Sequence, residues 1–213
     1  MAEQRSANAA SVSMRRKRAA ESFRSAAECI GPIEKDMALF AVTRGQWSMI
    51  DAILHCLDCV GPSEMSLWTW TVAEYEIQCL ERLMLDKRLL RATLVIDHGA
   101  RNKNRSLLDK WISLFGDKSI RFVVNHSKIA TIQSAEHRLL LRGSMNLNFN
   151  PRFEQFDITE GGPDFDLVRQ IESELEPLPM SCSGADVYKQ SRVSEAFDQQ
   201  TLDLFQGVKT WAK

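Results

Sequence analysis

Short apolar segments alternate with longer amphipathic segments along most of this 213-residue chain, and this alternation constrains its fold more than any other feature. The apolar segments have the length of β-strands, and the segments between them repeat apolar residues at helical spacing. In one of these, Trp47, Ile50, Leu54 and Leu57 fall on one side of a helix. Strands that alternate with such helices predict an α/β layered domain, in which helices flank a mixed and mostly parallel sheet.

The individual strands and helices follow from the same patterns. We expect strands at 37–43, 65–71 and 92–97, through 120–133, at 138–146 and at 156–160. Helices are predicted at 14–30, 46–59, 72–90, 104–116 and 163–175, with a final helical region at about 186–211.

Composition divides the chain into three parts. Residues 1–35 predict a basic arm that is partly disordered or helical, because 1–13 are small and polar and a basic cluster follows at 15–18. We interpret that cluster as a solvated leader in preference to a DNA-binding arm, since short basic runs are common. Residues 36–176 carry the alternation and form the central domain, and 177–213 predict a linker, PLPMSCSG, followed by the C-terminal helical segment.

Charge and cysteine content limit the class of protein. The net charge of −1 gives no overall positive field, so any binding of nucleic acid must come from a local patch. No apolar run approaches the roughly 18 to 20 residues of a membrane-spanning helix, so we expect no membrane partner. The five cysteines are odd in number and scattered, which favours a reducing, cytoplasmic location over a disulfide framework.

The stretch NHSKIATIQSAEHRLLLRGSMN combines two strand-like segments with polar residues at their ends. KIATIQ and RLLLRG predict a β-hairpin with SAEH as its turn. His126 and Lys128 then project from one face of a strand, and Ser144 and Asn146 share that spacing at the end of the next. Gly143 removes a side chain where the backbone must pass close to another group. Polar side chains that converge at strand ends predict a functional site.

These residue types suit the cleavage of a phosphodiester. Lys128 supplies positive charge, and Ser144 and Asn146 offer hydrogen bonds to the non-bridging oxygens. A neutral His126 can attack phosphorus and form a phosphohistidine, provided that an acceptor holds its other ring nitrogen. We expect Glu154, which opens the next strand, to be that acceptor. This chemistry requires no metal and no cofactor, and the sequence contains no convincing metal-binding constellation.

With HSK, then GSMN, then Glu154, the chain resembles the phospholipase D superfamily. The pattern of that family is His-x-Lys, usually with an Asp five residues after the Lys, then Gly-Ser-x-Asn and a following Glu. The resemblance covers roughly residues 36–175 and implies a phospholipase D-like layered domain. Gln133 stands at the Asp position, and members that act on DNA, such as the tyrosyl-DNA phosphodiesterases, also lack that Asp. The two half-motifs are also farther apart than usual, which a longer hairpin turn can absorb.

The resemblance further implies a homodimer. Most members carry the motif twice and build one site from both copies, whereas this chain has one copy. His126 of one subunit would attack phosphorus, and the partner's His126 would protonate the leaving oxygen. The interface would then be isologous, with the twofold axis through the site.

Other residues are weaker candidates for substrate binding. His98 follows a predicted strand and is a candidate to line the cleft. Arg101, Lys103 and Arg105 are candidates to contact a polyanionic backbone, and a solvated loop is an equal alternative for them.

Structural roles are favoured for the remaining conspicuous residues. His137 is expected to be solvated in the hairpin turn, and HCLDC is expected to pack in the core without binding zinc. Trp68 and Trp70 are interpreted as core or interface residues in preference to base-stacking platforms.

The leading functional hypothesis is a metal-independent phosphodiesterase, and a nuclease in particular, with DNA favoured over RNA as the substrate. The alternative is a catalytically inactive dimer on the same scaffold that binds nucleic acid. Lipid hydrolysis is the weaker enzymatic alternative, because the sequence has no interfacial membrane helix.

Overall fold

Eight strands form one mixed sheet in the computed structural model, which describes residues 16–21 (backbone), 25–145, 147 and 151–192. In chain order the strands are β1 (Arg16–Glu21), β2 (Met37–Thr43), β3 (Ser63–Thr69), β4 (Leu89–Asp97), β5 (Ile120–Val123), β6 (Ile129–Gln133), β7 (Arg138–Gly143) and β8 (Glu154–Glu160). Across the sheet they lie in the order β1-β2-β8-β7-β6-β3-β4-β5.

Seven α-helices flank the sheet within the described ranges. They are α1 (Ala26–Ile30), α2 (Met49–Val60), α3 (Glu74–Leu85), α4 (Ala100–Lys103), α5 (Arg105–Phe115), α6 (Pro163–Glu174) and α7 (Gly184–Gln190). The α/β layered fold predicted from the alternation is therefore confirmed.

Local signals in the sequence set the ends of several helices. At the start of α2, the backbone N–H of Ser48 donates to Asp51 at 2.8 Å, which satisfies a donor that the helix leaves free. At the end of α5, Gly116 has a φ of 87°, a left-handed conformation that favours glycine, and the helix stops there as predicted. Pro163 occupies the first turn of α6, where a missing N–H costs nothing.

The pairing of the strands is less parallel than the sequence predicted. Three pairs are parallel, β1 with β2, β3 with β4 and β4 with β5, and the other four neighbouring pairs are antiparallel. The antiparallel part follows from the β6–β7 hairpin and from β8, which returns between β7 and β2.

The strand-like segment 120–133 forms two strands that lie far apart in the sheet. β5 pairs with β4 at one edge, whereas β6 pairs with β3 on the other side of β4. Residues 124–128 must therefore cross the ends of β4 and β3, and they are not part of a strand. His126 and Lys128 consequently lie on this crossing segment and not on the strand to which they were predicted to belong.

The N-terminal helix predicted over 14–30 is mostly wrong. Helix α1 begins only at Ala26, where the hydroxyl of Ser25 accepts from the N–H of Glu28 at 3.2 Å. Upstream, β1 runs parallel to β2 at the edge of the sheet, so part of the predicted arm belongs to the sheet. Pairing with a neighbouring strand overrides the local helix preference of an alanine-rich segment. Residues 1–13 lie outside the described residues.

Large side chains fill the core between the sheet and its helices. Trp111, Phe122 and Phe156 are fully buried, and the ring of Trp47 meets that of Phe156 edge-on at 5.2 Å. Cys56 is buried in α2 as expected, but Cys59 is exposed, so the prediction that HCLDC packs in the core is correct only in part. Within the described part of the chain, no helix is long and apolar enough to cross a membrane.

A buried carboxylate holds together the end of β8, the hairpin turn and the approach to β2. Glu160 accepts from the backbone N–H of Asp36 at 3.0 Å, and the Lys35 ammonium lies 3.4 Å away. Burial opposes ionisation of Glu160, but these contacts and the N–H of Arg138 outweigh it and lower its pKa. His137 lies 3.4 Å from the same carboxylate and is largely buried, so its predicted solvation is wrong.

The segment predicted as a linker contains no helix or strand up to residue 183, and the helix that follows ends earlier than predicted. Residues 177–183 run without regular structure, and α7 then covers Gly184–Gln190. The rest of the predicted helix, from 193 onward, lies outside the described residues. The hydroxyl of Ser191 accepts from the N–H of Val124 at 2.8 Å, which anchors the start of the crossing segment.

Candidate active site

The crossing segment is positioned by one buried side chain, that of Asn125. Its amide nitrogen donates to the carbonyl of Thr69 at the end of β3, at 3.0 Å, and its oxygen accepts from the N–H of Ser127 at 2.9 Å. The backbone N–H of Asn125 also donates to Asp97 at the end of β4, at 3.1 Å. His126 is therefore held over the ends of both parallel strands. The sequence analysis did not identify Asn125, and the available signal was a polar residue directly after the apolar run of β5.

Gly143 allows β7 and β8 to approach each other closely beside this segment. A Cβ at this position would lie 2.3 Å from the carbonyl oxygen of Gln155 and 3.2 Å from the Cα of Phe156. No side chain fits there without a backbone shift, which accounts for the glycine. The N–H of Gly143 donates to the carbonyl of Lys128 at 3.2 Å, so the two half-motifs are in direct contact.

An open cleft of about 520 Å³ lies where these elements meet. It is lined by His126, Ser127, Lys128, Ile129, Arg142, Gly143, Ser144, Gln155 and Asp157. His126 is exposed, and the Lys128 ammonium donates to the His126 carbonyl at 3.0 Å. An ammonium has three donors, so two remain for a bound anion. The sequence predicted the convergence of His126, Lys128, Gly143 and Ser144, but it did not identify Arg142.

Ser144 and Glu154 form a linked pair at the end of the cleft. The hydroxyl of Ser144 donates to the Glu154 carboxylate and accepts from the N–H of Gln155 at 3.0 Å. Since a hydroxyl has one hydrogen, this Ser144 donates to Glu154 and not to a phosphate oxygen.

The role predicted for Glu154 is not observed in the single chain. Its carboxylate meets Ser144, and among the described residues it makes no hydrogen bond to the His126 ring. Glu154 therefore acts on the cleft through Ser144. Asn146, the fourth polar residue of the predicted site, lies outside the described residues.

Trp70, which was interpreted from the sequence as a core or interface residue, lies beside His126, the candidate nucleophile. Trp70 is 48% exposed, and its ring centroid lies 6.2 Å from that of His126. The Lys103 ammonium lies 5.8 Å from the centroid of the Trp70 ring, within the range of a cation–π contact. Lys103, predicted to bind substrate, is thereby connected to the site.

The other predicted substrate-binding residues differ in their placement. The His98 ring packs edge-on against Tyr188 of α7 at 5.6 Å and does not line the cleft. The guanidinium of Arg101 donates to the linker carbonyl of Cys182 and lies 5.5 Å from the Phe122 ring, so its contacts are structural. Arg105 is exposed on α5 and points toward Asp109 at 3.9 Å.

Gln133, which replaces the usual Asp of the resembled family, lies away from the cleft. It ends β6 at the hairpin turn, paired with Arg138, whereas Lys128 precedes the other end of β6. Five residues of strand separate the two positions by roughly 16 Å. The substitution therefore leaves the cleft lining unchanged. Among the described residues, no group of three or more His, Cys, Asp or Glu side chains could hold a metal ion.

No family model matches the chain, and no curated protein matches it. Among solved structures, the chain is similar in part to TrmBL2, described as an archaeal chromatin protein with a novel mode of DNA binding. The TM-score is 0.40 and the identity 11%, over 70% of this chain and 56% of that chain. The chain thus spans little more than half of that neighbour, and a likeness of this degree carries no argument about function.

Proposed function

We propose that this protein is a metal-independent phosphodiesterase of the phospholipase D type, which cleaves nucleic acid through a phosphohistidine. The observation that carries the proposal is the cleft, which is lined by an exposed imidazole, an ammonium and a hydroxyl that donates to the Glu154 carboxylate. DNA is favoured over RNA on the resemblance alone.

In the first half-reaction, a neutral ring nitrogen of His126 attacks phosphorus. The bond from phosphorus to the leaving oxygen breaks, and an imidazolium donates a proton to that oxygen. The two unused donors of Lys128 stabilise the negative charge on the non-bridging oxygens. Ser144 and Glu154 keep the β7–β8 side of the cleft in place through the N–H of Gln155.

In the second half-reaction, water attacks the phosphohistidine. The phosphorus–nitrogen bond breaks, its electron pair returns to His126, and the imidazole that donated the proton takes one from water. The products are an alcohol and a phosphate monoester. Two imidazoles are required, and among the described residues His126 is the one histidine that lines the cleft.

A second copy of the chain supplies the missing imidazole in this proposal. Phe40 on β2 is 45% exposed, and it pairs across the sheet with Asp157, which in turn pairs with Arg142. Asp157 and Arg142 line the cleft, so an exposed sheet face begins at the cleft wall. In the proposed isologous homodimer, the twofold axis passes beside this face, so that each subunit contributes its His126 to the shared cleft.

A dimer that binds nucleic acid without cutting it is the second candidate. The observation that favours it is the Ser144 hydrogen bond to Glu154, because one expected phosphate donor is already engaged. In this case the cleft would hold a phosphate backbone, and binding would weaken steeply with salt.

Cleavage assays in EDTA distinguish the two candidates. The substrates are single- and double-stranded DNA, RNA and bis(p-nitrophenyl) phosphate. We expect cleavage by the wild type, and a loss of at least about 100-fold in His126→Ala and Lys128→Ala. Lys110→Ala is the matched control, because its ammonium pairs with Glu81 at 3.1 Å on the helical surface and should leave the rate unchanged.

Three results would contradict the hydrolase proposal. Tight, salt-sensitive binding by the wild type without cleavage would support the inactive binding protein. Undiminished cleavage by His126→Ala would exclude this histidine as the nucleophile. A sedimentation experiment that finds an active monomer would refute the shared site.

A further inference from the structure

Trp70 combines an exposed ring with a tightly held backbone. It lies in the loop between β3 and α3, and nearly half of its surface, 48%, is exposed. On one side, the amide of Asn125 donates to the carbonyl of Thr69 at 3.0 Å. On the other, the amide of Asn104 donates to the hydroxyl of Thr71 at 2.6 Å. These two clamps hold the chain on either side of Trp70, whose ring stays exposed.

The surroundings of Trp70 connect it to the candidate active site. The clamp through Asn125 also holds the crossing segment, so it joins the chain next to Trp70 to the segment that carries His126. Their ring centroids lie 6.2 Å apart with an interplanar angle of 45°. The Lys103 ammonium lies 5.8 Å from the Trp70 centroid. An exposed aromatic ring, a cation and the candidate nucleophile thus form one surface.

Nucleic acid presents two chemical groups in every repeat, a negatively charged phosphodiester and a flat base. An unpaired base stacks on an exposed aromatic ring, and every base can do so because each has a π-face. In a duplex, the bases stack on each other, so their faces are not available to a protein side chain.

We propose that Trp70 is a stacking platform for an unpaired base next to the scissile phosphate, so that the substrate is single-stranded nucleic acid. This inference rests on the proposed phosphodiesterase function of the cleft. Lys103 attracts the backbone phosphate of the adjoining nucleotide and lies over the same ring. The phosphate binds at Lys128 while the base beside it stacks on Trp70.

Two matched oligonucleotides test the platform. One is an end-labelled single-stranded oligothymidylate, and the other has the same length and backbone with abasic residues throughout. We expect the wild type to cleave the first with a kcat/KM roughly 5- to 150-fold higher. Trp70→Leu should remove the preference, so that the ratio of kcat/KM for the oligothymidylate to kcat/KM for the abasic strand falls to about 1. Tyr75→Leu is the control, since Tyr75 is 58% exposed on α3.

The outcomes separate this inference from the proposed function. Equal kcat/KM for the two oligonucleotides, or equal rates on a blunt duplex and a single strand, would overturn the platform and leave the hydrolase intact. If the wild type cleaves nothing, fluorescence anisotropy with the same pair still tests the platform. A binding preference for the oligothymidylate that Trp70→Leu abolishes would support it, and equal affinities would overturn it. Sedimentation showing that Trp70→Leu turns a dimer into a monomer would identify Trp70 as an interface residue and overturn the inference.

Discussion

Replacing Gly143 with Ala should destabilise the protein at the cleft itself. The added Cβ would lie 2.3 Å from the carbonyl oxygen of Gln155. Carbon and oxygen atoms ordinarily approach to about 3.3 Å, so β7 and β8 would have to separate by roughly 1 Å. The separation would weaken the two hydrogen bonds between Ser144 and Gln155, at 3.1 and 3.0 Å, each contributing about 1 kcal/mol. With the strain of overpacking, we expect a loss of about 2–4 kcal/mol in the free energy of unfolding.

Thermal unfolding measures this loss without reference to any activity. For a chain of this size, 1 kcal/mol shifts the melting temperature by about 2–4 °C, so we expect a decrease of roughly 4–16 °C. Gly184→Ala is the matched control, because a Cβ there meets no atom within 4 Å. Should Gly143→Ala melt within about 1 °C of this control, β7 and β8 do not approach as closely as the structure indicates.

Two further substitutions test the packing around the site. Asn125→Ala should lower the free energy of unfolding by about 1–3 kcal/mol in urea denaturation, because it leaves buried backbone groups without a partner. Asn102→Ala, at an exposed position, should have no such effect. If the two variants unfold with equal free energies, the hydrogen bonds of Asn125 do not hold the crossing segment. Because the pKa of Glu160 is held below its ordinary value of 4.5, its stabilising contribution is complete above pH 4.5 and is lost as the pH falls through the lowered pKa. Glu160→Gln should therefore lose less free energy of unfolding than the wild type between pH 4.5 and pH 2. If the free energies of the two proteins fall in parallel with pH, ionised Glu160 does not stabilise the fold.

The sequence was informative wherever local patterns decide the structure. The hairpin is an example, because KIATIQ and RLLLRG are strand-like, a polar turn joins them, and the structure pairs β6 with β7 as expected. It was uninformative where a distant partner decides. Residues 16–21 resemble a helix in isolation, but parallel pairing with β2 makes them a strand. Likewise, no local signal in 120–133 shows that β5 and β6 lie on opposite sides of two other strands.

The candidate site could also be predicted where local patterns place its residues, and not where distant contacts decide. His126, Lys128 and Ser144 were found because they lie at the ends of recognisable segments. Arg101 was assigned to the substrate because an exposed cationic loop is a reasonable prediction for ARNKNR. The acceptors that engage it belong to the linker, about 80 residues later in the chain, and only the folded structure brings them together. Trp70 is not a core residue, because β3 ends at Thr69, and alternation along a strand does not reveal where that strand ends.

The clamp through Asn125 explains how a cleft this open can still be ordered. The side chains that the proposed chemistry uses lie on connecting segments, and such segments are usually the mobile part of a fold. Here a single buried amide joins the end of β3 to the crossing segment, which couples the backbone beside Trp70 to the backbone beside His126. Preorganisation of this kind lowers the entropy lost on binding, which matters most for a flexible ligand with rotatable bonds at every repeat. Single-stranded nucleic acid is such a ligand, and a fixed pair of base and phosphate contacts is the arrangement that would select one conformation from its ensemble.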